Sequence, residues 1–282
     1  MHAPIEAFFF DPEVLDDIAR RHHDAYVNAT PFPHVVFHDI VPDKALAAVA
    51  AEFPSLASRA DLVRHHEHAD KKRSFRTPNA LGPHTRQLLS ELNSSVFLTF
   101  LEQLSGIAGL LPDPHFTGGG LHQIERGGFL QVHADFNRLD RLSLDRRMNL
   151  LLYLNEDWED AWGGELELWT PDMSACAERV KPTFGTCVIF NTTDDSYHGH
   201  PEPLDCPPDR SRNSMALYYY SSGARPEITE PHGTLWQRRP GAHQEAAWQR
   251  WLPPVAIDGA QRARRRYRKL MKKQRSDKAP NA

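Results

Sequence analysis

GGFLQVHADFNR, residues 127–138, reads as a strand running into a turn, and the rest of the chain is best placed relative to it. Side chains alternate along a strand, so His133 and Asp135, two apart, leave the same face of a sheet. Far downstream, DSYHGHPEP, residues 195–203, offers a further imidazole, His198, in a strand-like context. Two imidazoles and one carboxylate, with no soft ligand in reach, form a set that suits non-haem Fe(II) and leaves coordination positions open for a co-substrate and O2. The pattern points to an oxygenase.

The periodicity around this stretch is that of a β protein. Leu121–Arg126, Phe129–Asp135, Arg147–Asn155, Glu165–Trp169, Thr186–Asn191 and Ser214–Ser221 are short β-type runs separated by Gly, Pro, Asn and Asp. Many short strands in succession predict an antiparallel sandwich or jelly roll. Upstream the pattern is mixed. Residues 11–30 predict a helix capped by Asp11 and Pro12, residues 31–40 a strand, and residues 43–53 a helix. From Thr85 to Leu111, Leu88, Leu89, Leu92, Val96, Phe97, Phe100, Leu101 and Leu104 keep helical spacing, which predicts a helical pair or one long helix laid against the sheet. Residues 60–82 are charged, with Arg64-His65-His66-Glu67-His68 and Lys71-Lys72-Arg73, and read as a solvated loop or helix face, with a second metal cluster as the other option. Helices first and strands later make one α+β unit.

Composition narrows the class. A hydrophobic fraction of 40% over 282 residues is enough for a sizeable core. The longest apolar runs, such as Met148 to Leu154, fall far short of the roughly 20 residues that a membrane span needs. No basic segment precedes the short Phe8-Phe9-Phe10 run, so a secretory signal is not expected. Three cysteines, Cys176, Cys187 and Cys206, share no metal-type spacing and predict reduced thiols in the cytoplasm. The net charge of -4 argues against binding nucleic acid over the whole surface. The exception is residues 262–278, rich in Arg and Lys, which read either as an arm for RNA or another acidic surface, or as a solvated helix end.

Beyond His198 the chain supplies a fixed cation. In a strand opening at Arg212, the side chains of Arg212, Ser214, Ala216 and Tyr218 share a face, and a guanidinium fork beside a hydroxyl suits bidentate capture of a carboxylate. A dicarboxylate chelating iron at one end and meeting Arg212 at the other is 2-oxoglutarate. With these residues in hand, the chain resembles the Fe(II)/2-oxoglutarate-dependent dioxygenases of the prolyl-hydroxylase type. The resemblance is loose over residues 31–223 and detailed over residues 123–221. It is carried by His133-Ala134-Asp135, by RMNLLLYLNEDW at residues 147–158 with Gly163-Gly164-Glu165-Leu166, by Ser196-Tyr197-His198, and by Arg212-Asn213-Ser214.

The resemblance implies a double-stranded β-helix (jelly roll) core over residues 117–225, supported by residues 1–116 and followed by a C-terminal extension, residues 226–282. It implies iron ligation by His133, Asp135 and His198, and 2-oxoglutarate binding by Arg212 with Ser214. Tyr153 falls near the co-substrate with Asn149 and Leu151 on its face, and Gln123 stands where some relatives carry a tyrosine that touches 2-oxoglutarate. His200 remains an alternative to His198, and Arg210 to Arg212; the Ser-Tyr-His and Arg-x-Ser patterns favour His198 and Arg212. Fe(II), 2-oxoglutarate, O2 and ascorbate are the implied cofactors and co-substrates. Hydroxylation of an unactivated C–H bond is the implied reaction, since Asp135 fills the position that halogenating relatives leave to chloride. The substrate is expected to be a peptidyl proline or similar residue, or else a small metabolite, natural-product peptide or sugar. FNRLDRLSLDR, residues 136–146, is expected to help cover it. Three other readings are a metal or 2-oxoglutarate sensor without turnover, a cupin-type isomerase that would not need Arg212, and an RNA-binding protein acting through its basic tail.

Overall fold

The computed structural model describes residues 8–53, 61–63, 68–223 and 230–240. The chain forms two compact units, Met1–Pro240 and Gly241–Ala282; the second, with the basic tail, lies outside the described residues, as do residues 64–67 of the His-rich tract.

Among the described residues, four α-helices build the supporting layer. α1 (Pro12–Val27) begins where expected: the Asp11 carboxylate accepts from the backbone N–H of Glu13 and Val14, with proline at the first helical position. α2 (Asp43–Ala51) runs into Glu52, whose carboxylate accepts from the N–H groups of His84 and Thr85 and so caps α3 (Pro83–Leu92). α4 (Ser95–Ser105) starts at the Ser94 hydroxyl cap and stops at Gly106 in the left-handed conformation. The stretch from Thr85 is thus a helical pair, broken at Asn93.

The strands of the described residues follow or interleave: β1 (His34–Phe37), β2 (Asp61–Val63), β3 (Ala69–Phe75), β4 (Leu110–Pro112), β5 (Gly120–Ala134), β6 (Arg138–Leu139), β7 (Leu144–Tyr153), β8 (Leu166–Trp169), β9 (Cys176–Val180), β10 (Cys187–Asn191), β11 (His198–His200), β12 (Ser211–Ser221) and β13 (Leu235–Trp236). The main path runs β1-β10-β7-β12-β5-β11-β8-β9, all antiparallel, and wraps into a nearly closed jelly roll. β3 and β13 pair along the edge of β5 opposite β12 and β11, β2 extends β3, β4 joins β12, and β6 folds back on β7.

The two-residue period of the strands sorts the side chains. On β7, Met148, Leu150 and Leu152 pack into the large core under the helices, while Asn149, Leu151 and Tyr153 turn inward to a cavity. On β12, Met215, Leu217 and Tyr219 face that core and Arg212, Ser214 and Tyr218 the cavity. Helix residues Leu15, Ala19, Leu46, Val49, Leu88, Leu92, Phe97, Phe100 and Leu104 complete the apolar layer. Each such large side chain contributes about 1.5–3 kcal/mol on burial.

Two expectations change. The runs Leu121–Arg126 and Phe129–Asp135 are one strand, bent at Gly127, whose N–H donates to Leu204 O at 2.8 Å. Residues 61–63 and 69–75 are strands, not a solvated loop or helix face. A bulge between Asp70 and Lys72, with Lys71 at φ 54, breaks the alternation that would have revealed a strand.

Candidate active site

β5 and β11 bring the first cluster together. His133 near the end of β5 stands opposite His198 on β11, and Asp135 follows one residue past the strand. Their ligand atoms all lie within 4.8 Å of one another, with Asp135 Oδ1 3.5 Å from His133 Nε2 and Oδ2 3.5 Å from His198 Nε2. The Nδ1 atoms face the carbonyls of Gln131, at 2.8 Å, and Ser196, at 2.9 Å. A carbonyl only accepts, so each Nδ1 carries the proton and each Nε2 offers its lone pair to the site. Burial first, with His133 beside it, pushes the His198 imidazole down to about 4, which keeps it neutral and able to ligate.

Asp135 is held from behind. Its Oδ2 accepts from Arg146 Nη2 at 2.8 Å and from Asn149 Nδ2 at 2.7 Å. Arg146 is fully buried, donates to Asn149 Oδ1 at 2.7 Å, and lies between the rings of Tyr218 and Phe136, its guanidinium carbon 3.5 and 4.5 Å from their centroids. Burial alone would raise the Asp135 carboxyl, but the Arg146 guanidinium beside it holds it well below the usual carboxylate range. Asn149 lines the cavity as expected, yet its amide is engaged by Asp135 and Arg146.

The second cluster lies deeper in the same cavity, which encloses about 220 Å³. Arg212 is buried, with Nε donating to Gly164 O at 2.7 Å and Nη2 to Tyr153 Oη at 3.1 Å. Burial raises the Tyr153 phenol despite Arg212, so its proton stays on and is available to an acceptor. Gly164, at φ +82, is required here, since a Cβ would sit 2.6 Å from Leu204 and 3.0 Å from Arg212 Cδ. Ser214 lines the wall beside Arg212. Gln123 does not: its neighbours His122 and Ile124 line the cavity, and strand alternation turns Gln123 to the other face. Arg210 stacks on Trp162 with its guanidinium carbon 5.4 Å from the ring centroid and donates to Glu156 O, outside the cavity. His200 lines the cavity without joining the triad, its register shifted from that of His198 by a bulge.

Several residues here were not anticipated. Lys72 enters from β3. Burial, opposed by Asp135 and reinforced by Arg212 and Arg146, pushes its ammonium down to about 8. Among the described residues, the buried nitrogens His122 Nε2, His200 Nδ1 and His200 Nε2 have no hydrogen-bond partner. Burial first, then the positive charges of Lys72 and Arg212, hold both imidazoles well below the ordinary range. Over the mouth, β13 places Trp236 opposite His133, their rings 4.9 Å apart, with His68 stacked on the same indole at 4.5 Å. His232 ties this segment down through Asp194 at 2.9 Å, and its N–H donates to the buried Asn137 Oδ1 at 2.9 Å.

Such a cavity, with two imidazoles and an ionised carboxylate at one end and an arginine at the other, fits a divalent metal and an anionic chelator. Residues 119–220 match the family model of the 2OG-Fe(II) oxygenase superfamily. Among solved structures, a Trichoplax adhaerens prolyl hydroxylase in complex with a hypoxia inducible factor oxygen degradation domain peptide fragment is similar at TM-score 0.50 and 14% identity, over 74% of this chain and 91% of that one. Prolyl 4-hydroxylase from Phytophthora capsici is similar at TM-score 0.50 and 17% identity, over 77% and 68% of the two chains. For a Pseudomonas putida prolyl-4-hydroxylase the values are 0.49 and 18%, over 76% and 100%. No curated protein sequence matches the chain.

Proposed function

We propose that His133, Asp135 and His198 hold Fe(II), that Arg212, Tyr153 and Ser214 receive the distal carboxylate of 2-oxoglutarate, and that the protein hydroxylates an unactivated C–H bond in a peptidyl proline or a similar residue. The observation that carries the reading is one cavity with three metal-competent ligand atoms within 4.8 Å and a buried arginine on the opposite wall. The peptide in the Trichoplax adhaerens relative motivates the choice of a peptide substrate.

With both groups bound, Fe(II) and 2-oxoglutarate would supply O2 activation, with 2-oxoglutarate oxidised to succinate and CO2 and ascorbate serving as a reductant. The protein's own part is positional. The Gln131 and Ser196 carbonyls fix both imidazoles in the ligating tautomer. Arg146 and Asn149 keep Asp135 ionised and stationary. Tyr153 accepts from Arg212 and keeps its own proton to donate to a carboxylate. Ile124, Leu130, Leu151 and Leu166 make the wall between the two ends apolar and displace water, while Phe136, Thr234 and Trp236 line the cavity with them.

In this reading residues 117–225 are the catalytic core, residues 1–116 its support, and residues 226–282 an extension whose β13 returns to the mouth. No described helix is long and apolar enough to cross a membrane. Cys176, Cys187 and Cys206 are free thiols, which suits the reducing cytoplasm.

The test is succinate formation from 2-oxoglutarate by Fe(II)-loaded protein on exposure to O2, beside His133→Ala and Arg212→Ala. Loss of turnover in His133→Ala, and a much higher 2-oxoglutarate requirement in Arg212→Ala, are expected. An intact chain that neither turns over nor binds 2-oxoglutarate would overturn the proposal.

A further inference from the structure

Arg212 is not the only cation on its row of the sheet. Lys72 on β3 and Arg212 on β12 are both registered against Ile124 of β5, one from each side, and all three line the cavity. Strands lie about 4.8 Å apart, so the two Cα atoms are about 10 Å apart on one face, within reach of two long side chains converging on a single group. The bulge at Lys71 sets this up. Lys71 donates from Nζ to Arg126 O at 2.9 Å, and the extra residue turns Lys72 into the cavity.

The charges are unbalanced. Arg146 is matched by Asp135 at 2.8 Å, while Arg212 donates only to a carbonyl and a phenol, and Lys72 has no ion-pair or hydrogen-bond partner among the described residues. Asp135 is the charge that opposes desolvation of Lys72, but it is already paired with Arg146, and two cations on one row of the cavity repel each other and are costly to desolvate unless a further anion sits between them.

We propose that Lys72 is a second cationic anchor for the distal carboxylate of the bound 2-oxo acid, which is clamped between an ammonium and a guanidinium. This rests on the dioxygenase reading and adds a specificity-determining residue to it. Such a clamp selects a dicarboxylate over a 2-oxo acid that ends in an apolar or neutral group.

The experiment is calorimetric titration of the full chain loaded with Mn(II), so that binding is measured without turnover. The probes are 2-oxoglutarate and oxalate, a chelator with no distal carboxylate. Lys72→Met is expected to weaken 2-oxoglutarate about tenfold, the scale of one charge-assisted hydrogen bond, and oxalate less than about twofold. Lys72→Arg should recover most of the loss. Removing an unmatched charge should also raise the melting temperature of the metal-free protein, which guards against a trivial folding defect. Unchanged 2-oxoglutarate affinity in Lys72→Met overturns the clamp alone, and equal weakening of oxalate overturns it by placing the lysine at the metal end. An intact chain that binds oxalate but not 2-oxoglutarate overturns the clamp together with the dioxygenase reading.

Discussion

The two ends of the cavity are built on opposite plans. Around Asp135 the ligand residues are held from behind by the protein: Arg146 and Asn149 donate to Asp135, and the Gln131 and Ser196 carbonyls face the two imidazoles. Around Arg212 the reverse holds, with Lys72 unpaired among the described residues and three imidazole nitrogens of His122 and His200 without partners. An end that must hold a metal in fixed geometry gains from being finished in advance, since ligands oriented from behind lose nothing further on binding. An end that receives a replaceable co-substrate can leave its last hydrogen bonds to be supplied by it.

The contrast breaks most visibly at Arg146. Arg146→Met would leave the Asp135 carboxylate buried beside Asn149 alone, and loss of one partner of such a pair costs about 3–5 kcal/mol. Chemical denaturation of the metal-free protein should register this, and metal affinity should fall by about 10–100-fold, as for other lost supports of a ligand. A smaller effect is expected at Gly164→Ala. The added methyl meets Leu204 and pushes on Arg212, so 2-oxoglutarate affinity should drop while metal affinity is unchanged. Equal losses of both would mean that the two ends are not independent.

The smallest effect sharpens the comparison from the other side. His200→Leu removes two buried, unpartnered nitrogens and should stabilise the metal-free protein by about 1–3 kcal/mol. The pH dependence has a definite sign. The folded-state pKa of His200 lies well below its ordinary 6.5, so the unfolded chain takes up a proton that the folded one refuses as pH falls below 6.5. Stability is therefore full above that pH and declines toward acid. His200→Leu should flatten part of this slope in melts between pH 7 and 5, with His198 and His122 responsible for the remainder.

Much of the metal end was legible in the residues. The strand period put His133 and Asp135 on one face, and the Ser-Tyr-His and Arg-x-Ser patterns of the resemblance pointed to His198 and Arg212. The helices were marked by Asp11, Pro12 and the spacing of apolar residues. What stayed hidden lay where local pattern and tertiary role diverge. Lys72 sits in a Lys-Lys-Arg run that looks solvated, and only the bulge at Lys71 and the pairing with β5 turn it inward. Arg146 closes a charged hairpin sequence, and only burial between two aromatic rings distinguishes it from surface arginines. Gln123 entered through a resemblance to a tyrosine position, and only the pairing of β5 shows that its neighbours His122 and Ile124 face the cavity. Trp236 lies far from every motif and reaches the site only through β13.

That last placement makes the protein its own optical instrument. The Trp236 indole rests against His133, 4.9 Å away, so a paramagnetic ion held by that imidazole would drain the excited state of this tryptophan. Emission from the undoctored chain would dim as the ion is captured and recover as it is stripped by a chelator, giving a dye-free record of site filling.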